Sequence, residues 1–277
     1  MKQPARKLLP LLENWGDVAK TISKHGRVTA FLDFDGTLVD IAPRPKLVRL
    51  TRTARKVLQR LVRHPNATVV VVSGRRRPEL LEHIGIPGIH YFGLYGWESK
   101  AKSSLPASVR AALRRVRTHL NPLLEAYPDV WIENKRSSLS VHLLDVHPGL
   151  QPRVRRELRT ALLPFRKALH AVGNIRDVEI LPRSIPGKGM AVRRFLAKPA
   201  HRKSFPFYFG DDFSDESGFA AVTRGASILV GRPRPTRARY LLRSPAEVAT
   251  ALAKLEATLP KKNDGQEAEP RDLNCGK

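Results

Sequence analysis

The stretch FLDFDGTLVD, residues 31 to 40, is the one around which the chain is organised. Val28 to Leu32 reads as a strand, and its apolar, β-branched residues show no polar alternation, as expected of a parallel strand covered on both faces. Side chains alternate along extended backbone, so Asp33 and Asp35 are expected to project to one side at the strand's carboxyl end. Open α/β sheets bind their ligands at that end. Gly36 lets the chain turn sharply beside a ligand, and Thr37 adds a hydroxyl donor. A carboxylate here has two uses, attack on phosphorus or holding a metal. The plainer reading is an Asp-rich turn with a glycine, common in α/β proteins.

A chain of 277 residues, 42% hydrophobic and 27% charged, can bury one large core or two modest ones. The 50 Lys and Arg against 25 Asp and Glu leave a net charge of +25, which raises the question of a polyanionic partner. The basic residues are dispersed, for example Arg110, Arg114, Arg115 and Arg117, on the polar sides of amphipathic segments. With only 6% aromatics and no nucleic-acid motif, solvated helix faces are expected and nucleic acid is not. Cys275 is the only cysteine, which excludes a disulfide framework and a Cys-based zinc site. No apolar run is long enough to cross a bilayer, and no leader-like segment opens the chain. A cytoplasmic monomer with no membrane partner is expected.

In chain order, Leu8, Leu11, Leu12, Trp15, Val18, Ala19 and Ile22 recur at helical spacing ahead of the first strand. Leu47, Leu50, Ala54, Val57, Leu58 and Leu61 predict a second helix, and ATVVVV at 67–72 a second buried strand, completing a βαβ unit. Ser73, Gly74 and Arg75 close that strand, where a hydroxyl and backbone N–H groups would suit a phosphate. Between residues 99 and 186 the rhythm breaks. A helical stripe (Val109, Leu113, Val116, Leu120), strand-like runs at 130–133 and 139–144, a second stripe (Val154, Leu158, Leu162, Phe165, Leu169) and a strand at 177–181 need a core of their own. The predicted organisation is an α/β core of residues 1–98 and 187–260 and an inserted α/β domain of residues 99–186. A disordered tail is expected over 261–277. The core resumes at Gly187, Lys188, Gly189, and its strand at 205–209 ends in GDDFSDE with Asp211, Asp212, Asp215 and Glu216. Ser244, Pro245 and Glu247 predict the cap of a last helix.

If Asp33, Asp35, Asp211 and Asp212 converge, each close carboxylate pair repels by about 4 kcal/mol at ~4 Å and an effective dielectric near 20. A hard cation such as Mg²⁺ offsets that repulsion, and Lys188 and Ser73 supply a charge and a neutral donor for phosphate. Phosphoryl transfer follows, with one aspartate as nucleophile and a second moving the protons.

DFDGT at 33–37, Ser73, Lys188 and GDD at 210–212, in that order, resemble the four motifs of the haloacid-dehalogenase superfamily. Within it, DGTLVDIAPRP, SGRR, GLYGWE, ENK followed by LSVH, VEILP and GDDFSDE are similar to the trehalose-6-phosphate phosphatase family, over roughly residues 5–255. The resemblance implies a Rossmann-like parallel-sheet core with an inserted α/β cap that reads the sugar. It implies Asp33 as nucleophile and Asp35 as acid and base. It implies a Mg²⁺ site of Asp33, Asp35 through its carbonyl, Asp211 and Asp212, with Asp215 in support. Phosphate would be held by Thr37, Ser73, Gly74 and Lys188, and a sugar phosphate's hydroxyls by Glu133, Lys135 and Glu179, assisted by Arg75. The chain departs from the family at Tyr95, where a histidine is usual, at Leu143 and Leu144 in place of Tyr-Arg, and at Leu181 in place of a basic residue.

These departures leave open another sugar phosphate, such as sucrose 6-phosphate or a hexose phosphate. The charge leaves open a basic nucleic-acid-associated protein that keeps the fold. Without the resemblance, Glu133 and Lys135 read as an exposed pair on a hairpin, His142 as a strand residue facing water or a neighbour, and Trp97 and Trp131 as core.

Overall fold

The computed structural model describes residues 7–42, 48–99, 105–135, 137–173, 177–185 and 187–260. The expectations for the 261–277 tail, Leu47 and Cys275 fall outside them. The elements in chain order are β1 (Leu9–Pro10), α1 (Trp15–His25), β2 (Val28–Leu32), α2 (Arg52–Arg63), β3 (Ala67–Val72), α3 (Arg77–His83) and β4 (His90–Phe92). Next come α4 (Ala107–His119), α5 (Asn121–Ala126), β5 (Trp131–Asn134), β6 (Leu139–His142), α6 (Gln151–Leu162), β7 (Leu169–Gly173) and β8 (Asp177–Pro182). The chain closes with α7 (Gly187–Leu196), β9 (Phe205–Gly210), α8 (Glu216–Phe219), β10 (Ala226–Val230), β11 (Tyr240–Leu242) and α9 (Pro245–Thr258).

Seven strands form a parallel sheet in the order β1-β11-β10-β9-β2-β3-β4. All five residues of β2 are buried. The reason is the two-residue alternation of a strand covered on both sides. Ala30 and Leu32 join Val18, Ile22, Val57, Leu58, Leu61 and Leu252 of α1, α2 and α9. Phe31 turns the other way, onto Phe195 of α7 and Tyr208. Chain order reverses between β2 and its two neighbours, so the crevice beyond the carboxyl ends of β2 and β9 is the topological switch point, where this class of sheet takes its ligand.

The second sheet is antiparallel, in the order β5-β6-β8-β7. Helices cover one face fully, while on the other Leu181 packs with Tyr95 and Ile185 and the remainder faces a cleft. Ile132, Leu139, Val141, Val178 and Ile180 pack with Leu113, Val116, Val154 and Leu158 of α4 and α6 into a second core. The alternate positions, Trp131, Glu133, His142, Asp177 and Glu179, line an open cleft facing the ends of the parallel strands.

Three local expectations change. Leu8 to Leu12 do not open α1: Leu9 and Pro10 pair with Tyr240 and Leu241, a strand contact to the far end of the chain, and the helix begins only at Trp15. The stripe ending at Leu169 splits, because Pro164 cannot continue a helix and Leu169 starts an edge strand beside β8. The α2 helix begins one residue after Thr51, whose hydroxyl accepts from the Ala54 N–H, so Leu50 of the expected stripe precedes it. At the last helix the expected cap forms: Ser244 Oγ accepts from the Glu247 N–H, and Glu247 Oε2 accepts from the N–H of Arg243.

Candidate active site

Asp33 is the first residue beyond β2, and its N–H donates to the Phe209 carbonyl on β9 at 3.0 Å, which ties the two strand ends together. Gly36 then takes φ +79°, and a Cβ at that position would run into the Asp211 carboxylate. The glycine thus serves both the turn and the approach of the two acidic strand ends.

Lys188, near the start of α7, is buried, and its Nζ lies 2.9 Å from Asp33 Oδ1 and 2.7 Å from Asp215 Oδ1. Burial alone would push the ammonium's pKa down; Asp215 and Asp33 outweigh it and hold Lys188 well above its ordinary range. Tyr208 donates its hydroxyl to the same Asp215 oxygen at 2.8 Å, and Asp215 Oδ2 accepts the N–H groups of Asp211 and Asp212. Desolvation is the largest cause raising Asp33, to about 8; Lys188 opposes it, and Asp215 and Asp212 add to it. Asp211 is raised well above its ordinary range by burial and then by Asp33. One Lys does not satisfy this much buried negative charge.

Asp33, Asp211 and Asp215 each offer an oxygen, and these oxygens lie within 4.8 Å of one another. An all-oxygen set of this kind fits a hard divalent cation. Asp212, expected in the set, uses Oδ1 to cap the turn that follows, accepting from Ser214 N–H at 2.7 Å and Ser214 Oγ at 2.6 Å. Asp215 lies within the close group because a one-turn helix after the strand brings the residue four positions beyond Asp211 back beneath it, with its oxygens accepting from Lys188, Tyr208 and two backbone N–H groups.

Asp35 stands apart from the cluster, gripped by Arg75 through two bonds, Nε to Oδ2 at 2.6 Å and NH2 to Oδ1 at 2.7 Å. Arg75 lines the cleft, also contacts His83 Nε2 at 3.2 Å and lies over the Phe34 ring, contacts that fix its guanidinium beside Asp35. Ser73 and Gly74 line the cleft as expected, and Ser73 Oγ accepts from the Arg75 N–H. Thr37 does not: it is buried, off the cleft wall, with its hydroxyl unpartnered. The Ser73–Arg75 loop is clamped by Leu94 and Tyr95, which donate their N–H groups to the Arg75 and Ser73 carbonyls. Both adopt left-handed backbone, φ +45° and +57°, a conformation costing about 1 to 3 kcal/mol at a non-glycine residue and held only by its surroundings.

Across a cleft of about 400 Å³, Glu133, Lys135 and Glu179 do come together. Lys135 Nζ meets Glu179 Oε1, and Glu133 Oε2 meets His142 Nε2 at 3.0 Å. The hydrogen bond from His142 is the largest cause lowering Glu133, whereas desolvation raises Asp177 to about 6. Glu179 Oε2 is buried without a partner. The departures sort into two groups. Tyr95 and Leu181 pack together with Ile185, and Leu143 is buried in the core of the second sheet, while Leu144 is half-exposed at the cleft. Trp97 packs against the core as expected, but Trp131 is 44% exposed and stacked on His142 in the cleft. Nothing in the sequence marked its orientation until the register of β5 was known. Among the described residues no helix is long and apolar enough to cross a membrane.

A family model described as trehalose-phosphatase matches residues 31–243. A trehalose-phosphate phosphatase of Mycobacterium bovis is 32% identical over 233 residues, covering 79% of this chain and 59% of the relative. The chain thus spans about three fifths of that curated relative's length. Among solved structures, the C-terminal domain of Candida albicans trehalose-6-phosphate phosphatase superposes with a TM-score of 0.79 at 20% identity, covering 92% of this chain and 99% of that one. A haloacid dehalogenase-like hydrolase from Bacteroides thetaiotaomicron gives 0.56 at 16% identity over 83% of this chain and 99% of its own. The shared fold is the haloacid-dehalogenase-like core with a separate capping sheet.

Proposed function

The chain belongs to the trehalose-phosphatase family, and on that premise we propose that it hydrolyses trehalose 6-phosphate to trehalose and phosphate through an aspartyl-phosphate on Asp33, with Mg²⁺ as cofactor. Residues 1–98 and 187–260 carry the chemistry in this reading, and residues 99–186 the choice of sugar. The observation that supports it most is the buried Asp33–Lys188–Asp215 arrangement with Asp211 beside it. Among the described residues this is the group of acids close enough to share a cation, and it lies where a strand-end ligand belongs.

Asp33 attacks phosphorus with one carboxylate oxygen, and the P–O bond to the sugar breaks as the new bond forms. Asp35 gives a proton to the departing sugar oxygen and takes one from the water that later splits the aspartyl-phosphate. Arg75 positions Asp35 by its two-pronged grip, and one of these two bonds opens when Asp35 carries the proton. Lys188, Ser73 and the Gly74 N–H hold the phosphate. Held by Asp33, the Asp35 carbonyl and Asp211, with Asp215 beneath, Mg²⁺ would supply positive charge to the phosphate oxygens and relieve the carboxylate repulsion.

The sugar is read by the second sheet. Two charge-assisted hydrogen bonds from Glu133, Lys135 and Glu179, at about 1.5 to 3 kcal/mol each, give discrimination of several hundredfold. The test is kcat/KM across trehalose 6-phosphate, sucrose 6-phosphate and glucose 6-phosphate. Trehalose 6-phosphate is expected to lead by at least about a hundredfold; preference for either other ester would remove the named substrate and leave the chemistry standing.

A further inference from the structure

The register of the capping sheet lays two rows of side chains on its open face. Glu133 is opposite Ser140, which is opposite Glu179. Two residues along, Trp131 is opposite His142, which is opposite Asp177. Rows two residues apart on one face are about 6.6 to 6.8 Å apart. The first row is the nearer to Lys188: Tyr95, whose ring lies 6.0 Å from Lys188 Nζ, feels Glu179 of the first row more strongly than Asp177 of the second. The second lies one step along the sheet.

In the second row the indole of Trp131 stacks on the His142 imidazole at 3.7 Å between centroids and 15° between planes. His142 is itself fixed by Glu133. One face of the indole is therefore covered and its orientation set, and the residue is still 44% exposed. Burying that area elsewhere in the protein would be favourable, so an aromatic held rigid and half-bare inside a cleft calls for an occupant. Three further half-exposed apolar side chains, Ile41, Leu144 and Phe213, line the same cleft.

We propose that Trp131, positioned by His142, is a stacking platform for the second, unphosphorylated ring of a disaccharide phosphate. This rests on the reading of the cleft as a sugar-phosphate site. A pyranose presents hydroxyls at its edge and C–H groups on its faces. The Glu133–Glu179 row meets the edge, and the indole meets a C–H face, with both aromatic area and orientation supplied before binding. A monosaccharide phosphate anchored on Lys188 ends short of the second row and gains nothing from it.

The experiment compares wild type with Trp131→Ala and Trp131→Phe on trehalose 6-phosphate, sucrose 6-phosphate, glucose 6-phosphate and p-nitrophenyl phosphate. Trp131→Ala is expected to raise KM about tenfold for whichever disaccharide phosphate is turned over, about 1.4 kcal/mol, with kcat held within twofold and Trp131→Phe restoring most of the loss. The loss should be confined to two-ring substrates, and added trehalose should quench less tryptophan emission in Trp131→Phe than in wild type. Equal losses on all four esters would overturn the proposal in favour of an apolar seal closing the cleft. An unchanged KM for disaccharides would overturn it outright. If trehalose 6-phosphate is not preferred but sucrose 6-phosphate shows the Trp131-dependent KM, the proposed substrate fails and the platform stands.

Discussion

The two sheets of this molecule solve opposite problems. In the parallel sheet every residue of β2 is buried, both faces are spoken for by helices, and chemistry is available only where the strands end. In the antiparallel sheet β5 has no buried residue at all, one face is left partly open, and it is the broad side of the strands that faces the cleft. Strand ends bring a few groups very close together, as the three oxygens within 4.8 Å illustrate, whereas a strand face spreads its groups at fixed intervals of two residues. A reacting phosphorus needs the first arrangement, and a disaccharide the second. The division of labour proposed above follows from which sheet surface is left uncovered.

The sharpest way to break the contrast is at the strand end. Asp33→Asn removes the attacking carboxylate and should cut kcat for every phosphate ester by at least about a thousandfold while leaving the circular dichroism spectrum intact. Acid-quench trapping of a phosphoenzyme in that variant would refute the assignment. On the strand face the same operation is expected to do less and to do it selectively. Glu133→Ala should lower kcat/KM for a disaccharide phosphate by about 10- to 150-fold, the worth of one charge-assisted hydrogen bond, and p-nitrophenyl phosphate by far less. A uniform loss across both substrates would mean that the two sheets do not divide the work as described.

The smallest effect concerns protons and metal. Asp33 holds its proton up to about pH 8 in the folded, metal-free protein, against 3.8 ordinarily. Between those values the folded chain carries a proton that the unfolded chain has released, so stability falls as pH rises through the window. A divalent cation competes with that proton. The rise in Tm on adding Mg²⁺ should therefore be greater at about pH 8 than at about pH 5.5, by roughly 3 to 6 °C, and a shift independent of pH would contradict the shared acid cluster.

Much of the parallel sheet was legible because its signals are local. An uninterrupted apolar run, a DxDG turn, a strand ending in Ser-Gly-Arg and the capped helix at Ser244 each depend on a few neighbouring residues. What escaped depended on distant partners or on register. Leu9 and Pro10 are a strand only because Tyr240 and Leu241 lie alongside. Asp215 rather than Asp212 meets Asp33 because a single helical turn intervenes, and both are acidic, so composition does not separate them. Thr37, one residue past the glycine turn, ends up buried off the cleft wall. Trp131 looked like core because tryptophan usually is; only its pairing with His142 places it on the open face.

The position of β2 between β3 and β9 also bears on how the chain is made. About 170 residues separate β2 from the strand that completes its other side. At 5 to 20 residues per second, β2 waits roughly 10 to 35 s on the ribosome with one edge unpaired. An apolar strand in that condition is a template for pairing with the wrong chain. The whole capping sheet, whose strands are neighbours in sequence apart from the β6–β8 pairing, is synthesised and can fold during that interval. Expression yield in this protein should therefore be set less by its final stability than by how well the nascent chain shields β2 until Phe205–Gly210 emerges.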